Sequence, residues 1–370
     1  MQQQKQFGRK REQERITKCK CHAVFSGHSS CFALVQNTTF IAEIPIIEEY
    51  QEQKTMQRNK YMYSFSYGNF ESELCKLESR YIFNEEDKNK LLFSDIKAEP
   101  SSSPFIKHRL DIISSSEDYS KLIDEIKKEN ICIEDFKVEY LVFDGDTTEY
   151  GERLKKLKDI GYSIEGIPDY HNPKTTYALC YFQDVWYFGM LIKNKFAWHK
   201  HIKKPCSYSN SISINIAKAL VNIAAKGNKE NTLLDACCGV GTIMLEACFS
   251  GNNIEGCEIN WKICMDAREN LSHFNYTANI YHSDIKDISK RYDAAILDLP
   301  YNLFSSATDS EIVHIIESTA KIADRLVIVS ISDVTTFINN TGFNIFDYCS
   351  VRKRGKKDFA RNIWVCEKNG

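Results

Sequence analysis

The sequence predicts an α/β protein in which a smaller α/β domain precedes a Rossmann-like domain with a mostly parallel, seven-stranded sheet. At 370 residues the chain is too long for a single hydrophobic core, since domains usually hold about 100 to 200 residues. In the second half, apolar strand segments alternate with segments whose apolar residues recur at helical spacing. Such alternation is typical of a parallel sheet with helices on both faces, and it places ligands at the carboxyl ends of the strands.

The composition predicts a soluble, globular protein of the cytoplasm. Hydrophobic residues make up 43% of the chain, and no stretch approaches the roughly 18 consecutive apolar residues that a membrane span requires. The amino-terminal segment MQQQKQFGRKREQERITK lacks the apolar core of a signal peptide, so the 14 cysteines are expected to be reduced thiols. The net charge of -2 excludes no class of partner, because basic residues can still cluster locally.

Residues 1–58 are expected to be a disordered or incidental leader. Gln, Lys and Arg dominate both of its ends, which leaves little apolar surface to bury. The metal-binding residue types in its most cysteine-rich stretch are Cys19, Cys21, His22, His28 and Cys31. Because a Cys-x-Cys pair followed by irregular spacing is not a zinc-binding pattern, we expect no metal site.

Residues 59–195 predict the smaller α/β domain. Its strand segments are YMYSFSY, KHRLDIISS and FKVEYLVFD, and its helical segments are FESELCKLESRYIF and EDYSKLIDEIKKE. These segments follow one another in the order β-α-β-α-β, which indicates a compact module. Two further strands, TYALCYF and VWYFGMLI, are separated only by Gln183 and Asp184, a spacing typical of a β-hairpin.

Residues 196–212 predict a basic linker between the two domains. The stretch KNKFAWHKHIKKPCSYSNS interleaves lysines with aromatic and histidine side chains. Lysines neutralise phosphates and aromatic rings stack on bases, so this pattern favours contact with a nucleic acid. A solvated linker without a partner has the same composition, and the sequence leaves both interpretations open.

Residues 213–370 carry the alternating pattern of the larger domain. It begins with the helix SISINIAKALVNIA, for which Ser211 or Ser213 is the expected N-cap. The predicted strands are NTLLDA, NIEGCEI, NIYHSDI, YDAAILDL and RLVIVSI, and the predicted helices are IMLEACFS, WKICMDARENLSHF and SEIVHIIESTAKIA. The segments FNIFDYCSVRKRG and RNIWVCEK predict a terminal antiparallel pair. Its turn carries a second basic cluster, Arg352, Lys353, Arg354, Lys356 and Lys357.

The first loop of the larger domain, CCGVGT, follows a strand that ends at Asp235. Gly239 and Gly241 allow a ligand to approach the backbone closely. A dinucleotide fingerprint needs a third glycine where Met244 stands, and a carboxylate at the head of the loop would repel a pyrophosphate. The loop therefore favours S-adenosylmethionine, which has a positively charged amino-acid end and no phosphate.

Two further acids stand at the ends of the next two strands. Glu258 can accept both hydrogen bonds from a ribose diol, and Asp284 can accept one from the exocyclic amine of adenine. Taken singly, each acid is better explained as a helix cap or a turn residue. Together with Asp235 they place acids at three successive strand ends, which favours a nucleoside cofactor.

Two adjacent cysteines, Cys237 and Cys238, belong to the same loop. They raise the alternatives of a thiol nucleophile or a metal ligand. Adjacent cysteines do not easily bind one metal, and the sequence places no His or Asp partner beside them, so we expect packing residues beneath the ligand. Cys237 and Thr242 complete the cofactor-binding residues predicted for this loop.

The fourth strand ends in LDLPYN, residues 297–302. An amino group on an aromatic base is planar and a weak nucleophile, because its lone pair is delocalised into the ring. Accepting hydrogen bonds from its N–H groups frees that lone pair to attack a methyl carbon. Asp298 and the carbonyl of Leu299 supply two acceptors, Pro300 stiffens the turn and Tyr301 can stack on the base. An ordinary strand-ending turn is the alternative.

The segments KKPCSYSNSISINIAKALVNIA, DACCGVGTIMLEA and DLPYN resemble the tRNA guanosine-N2 methyltransferases. That family couples a THUMP-type, ferredoxin-like RNA-binding domain to a Rossmann-like class I methyltransferase domain, and the resemblance runs from about residue 60 to the end of the chain. It implies methyl transfer from S-adenosylmethionine to the exocyclic N2 amine of a guanosine in tRNA. Asp298, Pro300 and Tyr301 match the family's Asp-Pro-Pro-Tyr catalytic motif, whereas Leu299 replaces the first proline.

The resemblance also implies an RNA partner. We expect both basic clusters to contact it, through Lys200, Lys203, Lys204, Arg352 and Arg354. Enzymes that methylate adenine N6 or glutamine amides share the catalytic motif, so these substrates are alternatives, as is a non-catalytic RNA-binding relic. The sequence leaves open whether a small activating protein partner exists.

Overall fold

The computed structural model describes residues 60–208, 211–300, 308–352 and 359–368. These residues belong to one compact unit. The predicted leader at 1–58, with its cysteines and histidines, lies outside the described residues. Within the described ranges, no helix has both the length and the apolar surface that crossing a membrane requires.

Six strands form the first sheet: β1 (Tyr61–Phe65), β2 (Leu91–Ser94), β3 (Ile106–Ser116), β4 (Phe136–Leu141), β5 (Thr175–Phe182) and β6 (Val185–Lys193). Their order in the sheet is β2-β1-β3-β6-β5-β4. Neighbouring strands are antiparallel except β4 and β5, which are parallel. Three helices accompany the sheet: α1 (Ser72–Phe83), α2 (Tyr119–Lys128) and α3 (Tyr150–Ser163).

Helices α2 and α3 cover one face of this sheet. Leu122 and Ile126 of α2 and Ile160 of α3 pack in one buried cluster with Phe136 and Phe188 of the strands. Burial of this apolar surface, worth roughly 25 cal/mol per Å², holds the helices against the sheet.

The predicted hairpin is formed by β5 and β6. Gln183 and Asp184 have positive φ values of 50° and 61°, which a tight two-residue turn requires. The sequence prediction lacks β2 and α3. With four residues, β2 is too short for an alternating pattern to stand out, whereas α3 has Leu157 and Ile160 at helical spacing, a signal that was present in the sequence.

The predicted linker is packed against the larger domain. Residues Ala197–Lys203 form a 3-10 helix, in which Trp198 and His201 are 1% and 0% exposed. His201 Nδ1 lies 2.7 Å from Glu246 Oε1, and its Nε2 lies 3.1 Å from the Tyr276 hydroxyl. The interpretation that these two rings are available to stack on bases is therefore wrong, because they are buried in the protein itself.

Seven strands form the second sheet: β7 (Thr232–Asp235), β8 (Asn253–Glu258), β9 (Ile280–His282), β10 (Tyr292–Asp298), β11 (Ala323–Ser330), β12 (Phe343–Arg352) and β13 (Ala360–Lys368). Their order is β12-β13-β11-β10-β7-β8-β9. The pairs from β11 to β9 are parallel, and β13 is antiparallel to both of its neighbours. The mostly parallel, seven-stranded sheet and the terminal antiparallel pair are thus confirmed.

Among the described residues of this part of the chain are five α-helices: α4 (Ile214–Ala225), α5 (Thr242–Ser250), α6 (Trp261–His273), α7 (Asp309–Ile322) and α8 (Thr335–Asn339). Of the two serines predicted to cap α4, Ser213 is the N-cap, and its hydroxyl accepts a hydrogen bond from the Ile216 N–H at 3.4 Å. Helix α4 carries a run of buried aliphatic residues, which pack in one core with residues of the second sheet.

Helix α1 connects the part of the chain that forms the first sheet to the part that forms the second sheet. Arg80 forms a bidentate ion pair with Asp347 of β12, with N–O distances of 2.7 and 2.8 Å. Glu78 is 1% exposed and accepts hydrogen bonds from Ser103 and Asn222, both at 2.6 Å. These bonds fix α1 on α4 and β12.

Candidate active site

Four acids lie at the carboxyl ends of four neighbouring parallel strands. Asp235 ends β7, Glu258 ends β8 and Asp298 ends β10, while Asp284 follows β9 by two residues. Parallel strands end at one edge of the sheet, so alternation in the sequence was sufficient to place these acids on the same side.

A cavity of about 680 Å³ opens at this edge of the sheet. Four residues predicted from the sequence line it: Cys237, Glu258, Asp284 and Pro300. A smaller cavity of about 60 Å³ is lined by Cys237, Gly239, Thr242 and Asp298, among others. Because Cys237 lines both, the two cavities flank the same loop. Of the predicted catalytic and cofactor-binding residues that the structure describes, three line neither cavity: Asp235, Gly241 and Leu299.

The CCGVGT loop turns sharply between β7 and α5. Gly239 and Gly241 have positive φ values of 51° and 77°, which other residues adopt only with strain. The Gly241 N–H donates to the Cys238 carbonyl at 2.8 Å and closes the turn. The hydroxyl of Thr242, 4% exposed, has no hydrogen-bond partner among the described residues. The loop therefore brings an unpaired hydroxyl to the smaller cavity.

Asp235 is 1% exposed, and neither of its carboxylate oxygens has a hydrogen-bond partner within the described residues. Burial, together with the negative charges of Asp298 and Glu258, raises the pKa of Asp235 well above its usual range. A buried, unpaired carboxyl group is costly for a protein to keep. A cationic ligand close to it would supply the missing partner and favour the ionised form.

Asp298 presents a similar arrangement at the end of β10. Its Oδ1 is shielded from solvent and has no hydrogen-bond partner in the described part of the chain. Burial raises the pKa of Asp298 to about 7, although the charge of Arg361 acts to lower it. The neighbouring Leu299 N–H donates to the Val329 carbonyl at 3.0 Å, and Pro300 has no N–H. The main chain after Asp298 therefore offers acceptors but no free donor at these two residues.

Glu258 is held by two main-chain N–H groups. Its Oε2 accepts a hydrogen bond from Gly239 at 3.1 Å, and its Oε1 accepts one from Asn260 at 2.8 Å. Each carboxylate oxygen has more than one lone pair, so Glu258 can still accept bonds from a ligand in the cavity that it lines. The contact with Gly239 also ties the end of β8 to the loop.

Asp284 is paired with His314 of α7. The distance from Asp284 Oδ1 to His314 Nε2 is 3.0 Å, and the Lys286 N–H donates to Oδ1 at 3.1 Å. Burial would raise the pKa of Asp284, but the bonds from His314 and Lys286 outweigh it and lower the pKa to about 2. Asp284 is therefore a carboxylate at any physiological pH.

Sequence reasoning missed the contribution of helix α7 to the larger cavity. Ser310, Glu311, His314 and Ile315 line it, and they lie far along the chain from the first three acids. The helical pattern around His314 and Ile315 did not indicate which face of the helix would line the cavity. The relevant signal, the packing of α7 beside the end of β9, exists only in three dimensions.

The two loop cysteines are thiols in this structure. Burial raises the pKa of Cys237 and of Cys238 well above the usual range, and the nearby charge of Asp235 adds to the rise. A thiol held neutral is a poor nucleophile and a poor metal ligand. This supports the prediction that both are packing residues.

Two of the predicted functional residues, Tyr301 and Arg354, lie outside the described residues, as do Lys353, Lys356 and Lys357 of the second basic cluster. Lys200, Lys203 and Arg352 are exposed. Lys204 is partly buried, and burial lowers its pKa. RNA contact through these side chains stays a prediction.

A family model of known proteins matches residues 202–326. This range includes Glu258, Asp284, Asp298 and the CCGVGT loop, called the glycine loop below. The family model describes the UPF0020 family, the RMKL-like methyltransferase domain. Residues 202–326 of this chain are similar to that methyltransferase domain. The methyltransferase predicted from the motifs is thereby confirmed for this part of the chain, and the match supports S-adenosylmethionine as its cofactor.

Two archaeal relatives agree with the family match. The chain is 31% identical over 121 residues to a tRNA (guanine(10)-N2)-dimethyltransferase of Methanothermobacter thermautotrophicus, covering 32% of this chain and 36% of the relative. It is 28% identical over 120 residues to the enzyme of the same name from Methanocaldococcus jannaschii, covering 29% and 33%. The chain thus matches about a third of the length of these relatives.

Solved structures give more distant likenesses over more of the chain. TrmN from Thermus thermophilus covers 84% of this chain and 99% of its own, at 13% identity and a TM-score of 0.43. A predicted N6-adenine-specific DNA methylase from Listeria monocytogenes covers 84% and 97%, at 10% identity and a TM-score of 0.41.

Proposed function

We propose that this chain is an S-adenosylmethionine-dependent RNA methyltransferase that acts on the exocyclic N2 amine of a guanosine in tRNA. The observation that carries the proposal is the pair Asp235 and Asp298, on adjacent parallel strands beside the glycine loop, with carboxylate oxygens unpaired among the described residues. Buried acceptors without donors are costly, so their retention here favours a ligand and a substrate that both donate hydrogen bonds.

The arrangement of the acids fits S-adenosylmethionine, which supplies the methyl group when bound. Asp235 would hold its positively charged amino-acid end, and Glu258 would accept hydrogen bonds from the ribose. Asp284, ionised and oriented by His314, would accept one from the adenine amine. The proposed roles of Cys237, Gly239, Gly241 and Thr242 are to shape the loop against the cofactor.

The end of β10 fits a substrate amine. In its ionised form, Asp298 accepts a hydrogen bond from the amine and draws its lone pair out of conjugation with the ring. The Leu299 carbonyl would be the second acceptor, and no main-chain donor competes with it at Leu299 or Pro300, because the Leu299 N–H is already bonded to Val329. Tyr301 is proposed to stack on the base.

The tRNA substrate is inferred from two kinds of support. The two archaeal relatives that match the methyltransferase domain are named as tRNA guanine-N2 enzymes. Exposed Lys200, Lys203 and Arg352 can neutralise phosphates beside this domain, and Lys204 and Arg354 are proposed to join them. We place the reaction in the cytoplasm, and we propose that residues 59–195 are a THUMP-like RNA-binding domain.

The test is methyl transfer from labelled S-adenosylmethionine to unmodified tRNA, ribosomal RNA and duplex DNA, followed by identification of the labelled nucleoside. Asp293→Asn is a matched control for Asp298→Asn, because Asp293 lies at the opposite end of the same strand and bonds Thr232 there. We expect N2-methylguanosine in tRNA from the wild type and from Asp293→Asn. Labelled adenine would identify an adenine amine as the substrate in place of guanosine N2, and cofactor binding without any labelled product would favour a non-catalytic protein.

A further inference from the structure

Asn270 is a fully buried amide in helix α6 that the proposed reaction does not use. Its Nδ2 donates to the Val240 carbonyl at 2.8 Å and to the Cys206 carbonyl at 2.9 Å. Its Oδ1 accepts a hydrogen bond from the Cys206 N–H at 2.9 Å. Both amide hydrogens and the carbonyl oxygen are thus bonded to main-chain atoms of two other segments.

The first of these segments is the glycine loop. Val240 stands between Gly239 and Gly241, which have no side chains through which the protein could fix the loop. The Gly239 N–H is bonded to Glu258, and the Val240 carbonyl is bonded to Asn270. These two side chains therefore hold the loop from opposite ends of the segment Gly239–Val240, so both bonds bear on the backbone that lines the smaller cavity.

The second segment is the basic stretch, residues 196–212, whose later part lies within the range that the methyltransferase family model matches. Cys206 follows Lys203 and Lys204 by two or three residues. His201, a little earlier, is anchored to Glu246 of α5, the helix that begins directly after the glycine loop. The basic stretch is therefore bonded to the loop at Cys206, through Asn270, and to the following helix at His201.

We infer that Asn270 is a positioning residue that couples RNA binding on the basic stretch to cofactor binding at the glycine loop. A shift of the Cys206 main chain, when Lys203 and Lys204 bind phosphates, changes two of the three bonds of one rigid amide. The third bond, to Val240, then changes with them. Coupling between two sites is reciprocal, so cofactor in the loop must also raise the affinity for RNA by the same factor. This inference rests on the proposed function.

The experiment measures the dissociation constant of S-adenosylhomocysteine by calorimetry, with and without saturating unmodified tRNA. This ligand avoids turnover and occupies the proposed cofactor site. In the wild type we expect tRNA to tighten binding by about fivefold or more, which is the lower range of typical coupling factors. In Asn270→Ala we expect the ratio of the two constants to fall to about one.

Two further variants separate positioning from general stability. Asn270→Asp keeps the acceptor for the Cys206 N–H but loses both donated bonds, so it should lose coupling as well. Asn222→Ala is the matched control, because Asn222 is also a buried amide that bonds another part of the chain, through Glu78 and the Ser102 carbonyl. We expect Asn222→Ala to lower the melting temperature and to leave the coupling ratio unchanged.

The outcomes distinguish the inference from the proposed function. A wild type that binds no S-adenosylhomocysteine overturns the proposed function. A wild type that binds both ligands with a ratio of one overturns the coupling alone, and loss of coupling in Asn222→Ala overturns the role of Asn270. If neither Asn270 variant folds, hydrogen exchange in the wild type decides: added tRNA must change exchange at amides 239–242, and unchanged exchange contradicts the inference.

Discussion

Glu78 and Asp298 are two shielded carboxyl groups in different parts of the molecule, and burial raises the pKa of each to about 7. At Glu78 both oxygens have donors, Ser103 and Asn222. At Asp298, Oδ1 has none among the described residues. A raised pKa alone therefore identifies burial, whereas the missing donor separates a group that the protein has satisfied from one that it leaves for a ligand.

The largest expected difference between the two carboxyl groups is in catalysis. Asp298→Asn should lower the rate of methyl transfer by about 10²- to 10⁴-fold, because an amide cannot act as the charged acceptor for the amine. Glu78→Gln should change the rate less than about twofold, since Glu78 lines neither of the two cavities. Single-turnover rates at saturating cofactor and tRNA measure both. A comparable loss in Glu78→Gln would remove the distinction between them.

The second expected difference is in stability, and it has the opposite direction. Glu78→Ala should lower the free energy of unfolding by about 2 to 4 kcal/mol, because it leaves Ser103 and Asn222 buried without their shared acceptor. Asp298→Ala removes a group whose Oδ1 has no donor in the described structure, so it should cost much less. Urea denaturation at pH 8 compares the two, and equal losses would mean that Asp298 is satisfied within the protein.

Glu258 shares one property with each of these two carboxyl groups. It has main-chain donors in the protein and still lines the cavity. Glu258→Ala should weaken cofactor binding by about 1 to 3 kcal/mol, the usual worth of charge-assisted hydrogen bonds. Calorimetry with S-adenosylhomocysteine measures this loss. Glu255→Ala, on the same strand but bonded to Tyr292 and Lys290, is the control that should leave the affinity unchanged.

Much of the site could be predicted because a parallel sheet turns sequence order into position. Once strands and helices alternate, the last residue of each strand must lie at one edge, which is why Asp235, Glu258 and Asp298 could be assigned to the same place. The mostly parallel sheet followed from the same alternation. In the first sheet the pairing is mostly antiparallel, and the order of its strands had no comparable rule behind it.

Contacts between distant segments could not be predicted in this way. Asn270 bonds Val240 and Cys206, which are 30 and 64 positions away in the chain. His314 of α7 bonds Asp284, which follows β9. A polar residue within a helix has many possible partners, and only the packing of the helices selects one. The burial of Trp198 and His201 was missed for the same reason.

The smallest expected effect concerns the pH dependence of the rate, and it follows from the raised pKa of Asp298. Asp298 must be ionised to accept a hydrogen bond from the amine as an anion. With a pKa of about 7, the single-turnover rate should rise about tenfold between pH 6 and pH 8, as the ionised fraction does. Glu78→Gln should show the same rise in rate. A flat rate profile in the wild type would contradict the role of Asp298.

The stability profile should respond to both groups alike. A carboxyl whose pKa is raised in the folded state stabilises the protein fully below its unfolded pKa, and this contribution is lost as the pH rises through the folded value. The free energy of unfolding of the wild type should therefore fall between about pH 4 and pH 7, and Glu78→Gln and Asp298→Asn should each reduce that fall. Urea denaturation across this pH range measures the fall in stability. Compared with the rate profile, it should show that both carboxyl groups affect stability, whereas only Asp298 of the two affects methyl transfer.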